Sequence, residues 1–397
     1  MRRDAGKLPE RLKSLDALRG LAALAVVFWH WQHFFALKGT FQPGWKFEME
    51  PLFWLLKPFY MEGWAAVDLF FPLSGFVFYW LYRAEIAERA MAPARFARLR
   101  FSRLYPLHLA MLLVAAMLQR LFFMRTGHWF IYGSNDWQHF ASSLLMAQQW
   151  LPPTLVQCFD GPAWSVSVEV LLYGIFFAVV RAGFGGWRAA LVIALASVPL
   201  IFWNEFIARG LMGFFIGGAT YHLGEALKRR SDVREITIAL GLVAIASWAL
   251  VLYECYAWPL HGMISAAAAA ARGNPMYDIY VGWSFRLAFT FIVSPLTILA
   301  LSLDEPVLGG RYGKLAFLGD ISYATYLIQI PLQLVLALAA LWLGLKPQDF
   351  MSLRMLVGFF ALLIGLGMLS YRYFERPMQK WLRGEEARAP VAQATVP

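Results

Sequence analysis

The chain has 397 residues, of which 60% are hydrophobic and 15% are charged, and its mean hydropathy is +0.54. This composition excludes a soluble globular protein and indicates a polytopic membrane protein. The net charge of +10 would suit a nucleic-acid-binding protein. However, the basic residues alternate with apolar runs and accompany no nucleic-acid-binding motif, so no nucleic-acid partner is expected.

About ten apolar stretches are long enough, or nearly so, to cross roughly 30 Å of hydrocarbon as helices. In chain order they are Leu15–Leu37, Gly63–Tyr82, Leu104–Met124, Trp164–Arg181, Trp187–Trp203, Glu205–Leu227, Glu235–Glu254, Tyr280–Leu303, Phe317–Gly344 and Met351–Tyr373. The fifth is short, and the sixth carries Arg209 and His222. The sequence therefore predicts an all-α membrane protein with about ten transmembrane helices.

Basic clusters occur at every second connection between these stretches, beginning with the N-terminus and ending with the C-terminal tail. The positive-inside rule makes such connections cytoplasmic, so both termini are predicted inside the cell. The first stretch is too long for a signal peptide and is expected to remain in the mature protein. Residues 1–380 are predicted to form the membrane-embedded domain, and the polar residues 381–397 a disordered cytoplasmic tail.

The connections on the opposite side are long in two places, Lys38–Glu62 and Arg125–Ala163, and both are rich in aromatic and turn residues. Loops of this length often form lids or binding surfaces. The segment Cys255–Ile279 is also predicted to lie outside, as a short surface helix. Cys158 and Cys255 both fall on this side, which leaves a disulfide open. Neither cysteine has the spacing of a metal site, and no metal is expected.

Two polar residues of the first stretch, Arg19 and His30, are eleven positions apart. This spacing is close to three helical turns, so the two side chains share a face about 16 Å apart along the axis. Each has a structural interpretation, as a snorkelling arginine or a packing histidine. Because charged and titratable groups are costly in hydrocarbon, their presence on one face favours a function.

Further polar side chains fall at the depth of His30 on other predicted helices, namely Asp68, Glu169 and Gln329. A histidine beside carboxylates is typical of an acid–base centre, because a carboxylate fixes the tautomer and stabilises the imidazolium. We therefore expect His30, Asp68 and Glu169 to be catalytic, with Asp68 or Glu169 orienting the imidazole.

A second polar layer lies at the depth of Arg19, near the predicted cytoplasmic face. It comprises Arg19, Arg100, Arg103, Ser322 and Tyr323, from the segments "RLRFSRLYP" and "FLGDISYATYL", and Arg372, Glu375 and Arg376 from "YRYFERP". Guanidinium groups bind phosphates in a bidentate manner. The layer is therefore predicted to bind a phosphorylated ligand arriving from the cytoplasm, and the two layers together suit group transfer across a membrane.

Six segments in order give the chain a resemblance to the acyltransferase-3 family of integral-membrane O-acyltransferases. They are "LDALRGLAALAVVFWH", "GWAAVDLFFPLSGFVFYW", "RFSRLYP", "PAWSVSVEVLLY", "ISYATYLIQIP" and "YRYFERP". The resemblance covers nearly the whole chain. It implies transfer of an acyl group, usually acetyl from cytoplasmic acetyl-CoA, to a hydroxyl of a cell-surface polysaccharide, lipopolysaccharide or lipo-oligosaccharide in the bacterial inner membrane.

The resemblance also implies residue roles. His30 would be the catalytic base or a transient acyl carrier, and Arg19, Arg100 and Arg103 would bind the donor, as Ser322 and Tyr323 are also expected to do. Trp164, Ser74 and Gln329 are expected to contact the acceptor. The expected partners are acyl-CoA as co-substrate, a carbohydrate or lipid-linked saccharide and membrane lipids, with no resident cofactor.

The chain departs from the family pattern at two positions. Gln329 stands where many members have a histidine, and glutamine cannot act as a base near neutral pH. Pro72 stands where an aliphatic residue is usual, and a kink or local unwinding is expected there.

Two other functions remain open from the sequence. Buried arginine, histidine and glutamate also serve proton-coupled transport, so the chain could move a polar glycolipid. It could also be a non-catalytic scaffold that retains the fold.

Overall fold

The computed structural model describes residues 11–37, 40–150, 156–257 and 283–384. Thirteen helices of this part are numbered here in chain order: α1 (Lys13–His30), α2 (Phe53–Glu62), α3 (Ala66–Ala87), α4 (Pro93–Thr126), α5 (Trp137–Leu144), α6 (Trp164–Arg181), α7 (Trp187–Ala196), α8 (Glu205–Lys228), α9 (Val233–Ala257), α10 (Trp283–Leu308), α11 (Ala316–Leu343), α12 (Leu353–Ser370) and α13 (Arg376–Arg383). Two short strands, Ala36–Leu37 and Thr40–Phe41, pair antiparallel after α1.

Seven helical segments of the described chain are long and apolar enough to cross a membrane. They are Phe53–Ala87, Pro93–Thr126, Gly161–Arg181, Val233–Ala257, Trp283–Leu308, Ala316–Leu343 and Leu353–Arg383. The multi-pass membrane architecture is therefore confirmed. The segments predicted at α1, α7 and α8 are also helical but do not meet that standard, because α7 is short and α1 and α8 carry more polar residues. The total of about ten spans and the orientation of the termini remain predictions.

The core of the bundle contains two closely packed helix pairs. In the first, α1 lies against α11 where Gly20 faces Leu318 and Gly319 faces the backbone of Asp16. In the second, α3 lies against α8. The helices α9 and α12 instead expose most of their surface at the periphery. The chemistry-bearing helices are thus central and the most apolar ones are outside, as expected for a protein in lipid.

The expected unwinding at Pro72 is not found, because α3 is continuous through this residue. The helix lies so close to α8 that a side chain on Gly75 would meet the carbonyl oxygen of Phe214 at 1.8 Å, and one on Gly217 would meet that of Pro72 at 2.0 Å. Small residues allow such close backbone approach between membrane helices. The close contact with α8 therefore lies at the proline.

We expect Gly217→Ala to destabilise the protein by about 1–3 kcal/mol, because the added methyl group forces α3 and α8 apart. Gly174→Ala on α6 is the matched control, since a side chain there meets nothing within 4 Å. Thermal unfolding in detergent should show a lower midpoint for the Gly217 variant only. Equal midpoints for the two variants would contradict the close packing of α3 on α8.

The two long connections contain structure that the sequence did not predict. Helix α2 occupies the end of the first, and α5 lies in the second. Cys158 and Cys255 are both free and buried, so no disulfide joins them here. Most of the predicted surface helix Cys255–Ile279 lies outside the described residues, as do residues 385–397 of the predicted tail. The predicted boundary at residue 380 falls within α13, which continues to Arg383.

Glu50 lies just before α2 and is only 3% exposed, and neither of its carboxylate oxygens has a hydrogen-bond partner among the described residues. Burial raises the pKa of this carboxyl group to about 8. The folded protein therefore holds a proton that the unfolded chain releases above its ordinary pKa near 4.5. Stability from this group is complete below that value and is lost as the pH rises towards 8.

We accordingly expect the unfolding midpoint of the wild-type protein to fall between pH 5 and pH 8, and Glu50→Gln to remove part of this slope. Thermal unfolding of both proteins across this range tests the assignment. Identical slopes would show that Glu50 is ionised in the folded state.

Candidate functional site: an arginine-lined cavity beside a buried histidine

A cavity of about 190 Å³ lies in the centre of the bundle between α1, α3, α4, α6 and α11. Seven polar or charged residues that the sequence predicted for the site line it: Arg19, Ser74, Arg100, Arg103, Glu169, Ser322 and Tyr323. The rest of the wall is largely aromatic and aliphatic. The five helices therefore bring all five predicted donor-binding residues to one cavity.

Arg100 is held against aromatic rings within this wall. Its guanidinium carbon lies 5.0 Å from the ring centroid of Phe78 and 4.7 Å from that of Tyr82, whose hydroxyl accepts a hydrogen bond from Nη2. The Nε atom of Arg100 is buried without a hydrogen-bond partner among the described residues. The rings fix the guanidinium by cation–π contacts and leave donor capacity for a ligand.

Arg19 and Arg103 add positive charge to the same cavity. The Nη2 atom of Arg19 donates to the carbonyl oxygen of Gly319 at 2.7 Å and to Oδ1 of Asp16 at 3.2 Å. Arg103 interacts electrostatically with Arg19 and with the buried Glu375. We call the end of the bundle where Arg19, Arg100 and Arg103 lie the arginine end. Its charge arrangement suits an anionic ligand.

The hydroxyl groups of Ser322 and Tyr323 are already used by the backbone. Ser322 donates to the carbonyl oxygen of Gly319 at 2.8 Å, and Tyr323 donates to that of Leu104 at 2.7 Å. The second bond ties α11 to α4. Both residues therefore line the cavity, but the Ser322 hydroxyl is bonded within α11 and the Tyr323 hydroxyl joins two walls of the cavity.

Glu169 lies in the cavity wall and not beside His30. Its Oε1 atom accepts hydrogen bonds from Ser74 at 3.1 Å and from Tyr173 at 2.5 Å. The expected role of Glu169 in orienting the imidazole therefore has no support from the geometry. Its carboxylate is available instead to a ligand within the cavity.

His30 ends α1 and is 5% exposed. Its Nδ1 atom lies 3.1 Å from Oε1 of Gln329, while Nε2 of Gln329 donates to the carbonyl oxygen of Tyr326 at 3.0 Å. The second bond fixes the orientation of the amide, so its oxygen faces the imidazole. A glutamine oxygen only accepts hydrogen bonds, so His30 must carry its proton on Nδ1. The lone pair is then on Nε2, so this nitrogen is the one that can accept a proton as a base.

The cavity wall and the partner of His30 are one helical turn apart on α11. Tyr326 lines the cavity, and Gln329, one turn further on, holds the imidazole. The hydroxyl of Tyr326 is hydrogen-bonded to Ser165 at 2.8 Å and to the carbonyl oxygen of Pro162 at 3.0 Å. Phe70, which also lines the cavity, meets the Tyr326 ring edge to face at 6.1 Å between centroids. These two rings therefore contact each other within the cavity wall.

A second histidine, His33, repeats the arrangement of His30 one turn later, and the sequence analysis missed it. Its Nδ1 atom lies 3.0 Å from Oε1 of Gln333, and Nε2 of Gln333 donates to the carbonyl oxygen of His30 at 3.0 Å. The two imidazole rings are 4.9 Å apart. The spacing of three to four residues in both helices, His30 with His33 and Gln329 with Gln333, was the available signal.

Asp68 is paired with Arg209 and not with His30. The Nε atom of Arg209 lies 2.7 Å from Oδ1 of Asp68, and the two side chains are 8% and 2% exposed. The ring of Trp164 covers this pair, with its centroid 4.8 Å from the guanidinium carbon of Arg209. The geometry thus makes Asp68 and Arg209 a buried ion pair between α3 and α8. Trp164 is its aromatic cover.

The described residues contain no group of three or more histidine, cysteine, aspartate or glutamate side chains that could hold a metal ion. The fold and the cavity define a class: a multi-pass helical membrane protein with an arginine-lined central cavity and a buried histidine whose Nδ1 atom faces a glutamine oxygen.

Comparison with known proteins names the family. The model of the acyltransferase-3 family, described as an acyltransferase domain, matches residues 12–372. The chain belongs to this family. It is 30% identical over 340 residues to the acyltransferase MdmB of Streptomyces mycarofaciens, covering 80% of this chain and 78% of that protein. Over 209 residues it is 31% identical to protein 2 in the picA locus of Rhizobium radiobacter, covering 49% of this chain and 94% of that protein. No solved structure matches.

Proposed function

We propose that this membrane acyltransferase moves an acyl group, most simply acetyl, from cytoplasmic acyl-CoA to a hydroxyl of a cell-surface carbohydrate. The acceptor would be a polysaccharide, a lipopolysaccharide or a lipo-oligosaccharide, and the site of action the bacterial inner membrane. The observation that carries the proposal is the central cavity, which Arg19, Arg100 and Arg103 line together with Tyr326, a residue one helical turn before Gln329, the partner of His30.

Binding of the acyl-CoA donor depends, in this proposal, on the positive charge of the arginines. An acyl-CoA carries phosphates at one end and the thioester at the end of a narrow arm. Arg100 and Arg103 would bind the phosphates at the arginine end, and the arm would run along the aromatic wall. To reach His30, the thioester must pass Tyr326 and Phe70, so we expect these two rings to move when the donor binds.

The transfer itself depends on the Nε2 atom of His30. In direct transfer, Nε2 takes the proton of the acceptor hydroxyl while the oxygen attacks the thioester carbonyl. The carbon–sulfur bond breaks, and the CoA thiolate leaves and is protonated by the imidazolium. In the covalent version, Nε2 attacks the thioester, the carbon–sulfur bond breaks and the CoA thiolate leaves. The acceptor hydroxyl then attacks the acyl group on Nε2, the carbon–nitrogen bond breaks and the hydroxyl proton passes to the thiolate.

Trapping the protein with acetyl-CoA labelled in its acetyl group, followed by peptide mapping, separates these two routes. Label on His30 supports the covalent route. Direct transfer leaves the protein unlabelled.

The function is tested by mass spectrometry of surface glycans from cells with and without the gene. The proposal predicts that increments of about 42 daltons, one acetyl group, disappear in the deletion strain. The purified protein should also release free CoA from acetyl-CoA when a glycan extract of the deletion strain is added. Unchanged glycan masses together with no CoA release would contradict the proposal, and glycolipid movement without CoA release would favour transport.

We expect Gln329→Met to lower kcat about 10–100-fold with little change in the KM for acyl-CoA, because the imidazole loses the partner that fixes its tautomer. Gln333→Met, which removes the corresponding partner of His33, is the matched control and should have a smaller effect. Steady-state CoA release measures both. A change confined to KM would instead indicate that Gln329 contacts the substrate.

A further inference from the structure

The last helix of the described chain returns to the arginine end of the cavity. After α12 the chain passes through a wide helical turn at Tyr371–Glu375, and α13 then packs on α4. This places Arg383 at α4, where its Nε atom donates to Oγ of Ser102 at 3.0 Å. Ser102 is buried and lies between Arg100 and Arg103 in the sequence.

Arg383 interacts electrostatically with both Arg100 and Arg103, although all three are positively charged. Like charges brought together in this way destabilise the protein unless an anion joins them. The position of Arg383 is also specific, because Nη2 approaches Oε1 of Gln379 at 3.4 Å while Nε is held by Ser102. The guanidinium is therefore oriented beside the cavity arginines and not free in solvent.

We infer that Arg383 is a further phosphate-binding residue, which binds the 3′-phosphate of the CoA donor while Arg100 and Arg103 bind its diphosphate. The inference rests on the proposed function, because it deepens the donor site. Coenzyme A carries its 3′-phosphate and its diphosphate on the same ribose, so neighbouring arginines suit its chemistry by binding one of the two each. Arg383 does not line the cavity, which fits a contact with the phosphate furthest from the thioester.

Binding of CoA and of 3′-dephospho-CoA to the purified full-length protein tests this directly. The protein is placed in nanodiscs of zwitterionic phosphatidylcholine, and each dissociation constant is measured by calorimetry. The wild-type protein should bind CoA about tenfold more tightly than 3′-dephospho-CoA, as expected for one charge-assisted contact. Arg383→Gln should remove this difference by weakening the binding of CoA only.

Lys380→Gln is the matched control, because it removes one positive charge from an exposed position of the same helix. It should preserve the difference between the two ligands. Unfolding midpoints of both variants near the wild-type value show that the bundle is intact. If Arg383→Gln lowers its midpoint, Arg383→Lys keeps the charge and should retain most of the difference.

Three outcomes would overturn the inference: no preference of the wild-type protein for CoA, equal weakening of both ligands by Arg383→Gln, or an effect seen only in nanodiscs with anionic lipid. The last would assign Arg383 to a lipid headgroup. If the wild-type protein shows the preference and the variant loses it, but acetyl-CoA is never consumed, the inference stands and the proposed transfer fails. If CoA does not bind at all, both fail.

Discussion

His30→Ala should lower acyl transfer at least about a hundredfold, because removal of a general base or covalent carrier typically costs two to four powers of ten. The two carboxylates predicted beside His30 do not accompany it, since Glu169 is bonded to Ser74 and Tyr173 and Asp68 is bonded to Arg209. Surface acylation in a deletion strain that carries the variant measures the effect in the cell. CoA release by the purified variant measures it directly.

The control for this variant is His108→Ala. His108 is also buried, at 3% against 5% for His30, and its Nε2 atom contacts the carbonyl oxygen of Ser143 at 2.8 Å. It lies outside the cavity wall. His108→Ala should therefore lower acyl transfer only as far as the removal of a buried imidazole destabilises the protein. Normal acylation by a folded His30→Ala protein would favour a non-catalytic scaffold.

Asp68→Asn should destabilise the protein by about 3–5 kcal/mol, because it leaves the charge of Arg209 buried and uncompensated. Arg209→Met should destabilise the protein by a similar amount, because it leaves the charge of Asp68 buried and uncompensated. The double variant should be destabilised by much less than the sum, since it removes both charges. Thermal unfolding in detergent provides the comparison.

Asp232→Asn supplies the surface control, because the pair Arg230–Asp232 is exposed at both ends. Its unfolding midpoint should stay near that of the wild-type protein.

The sequence predicted a catalytic role for Asp68. A folded Asp68→Asn protein with wild-type stability and no acyl transfer would restore that role and contradict the structural one.

The sequence predicted the membrane fold and the depth of each polar side chain because both follow from hydropathy and from the rise of a helix. Arg19 and His30 lie on one face of α1, and His30 and Gln329 do meet. Depth does not determine which helices are neighbours, however. Asp68 and Glu169 were placed beside His30 by depth alone.

The partners of the two carboxylates follow from packing that hydropathy does not encode. Because α3 lies on the glycine-rich face of α8, Asp68 meets Arg209. The sequence had noted Arg209 only as a polar interruption of the sixth stretch. Arg383 was similarly predicted as part of a basic tail, because the turn that returns α13 to α4 has no signature in the sequence.

The central claim is that the arginine-lined cavity and His30 belong to one reaction path. A cryo-EM structure of the protein with bound CoA tests it most directly. The account predicts phosphate oxygens within hydrogen-bond distance of Arg100 and Arg103, displaced Tyr326 and Phe70 rings, and the sulfur atom next to Nε2 of His30. Phosphates bound elsewhere, or a sulfur atom still separated from His30 by those two rings, would contradict it.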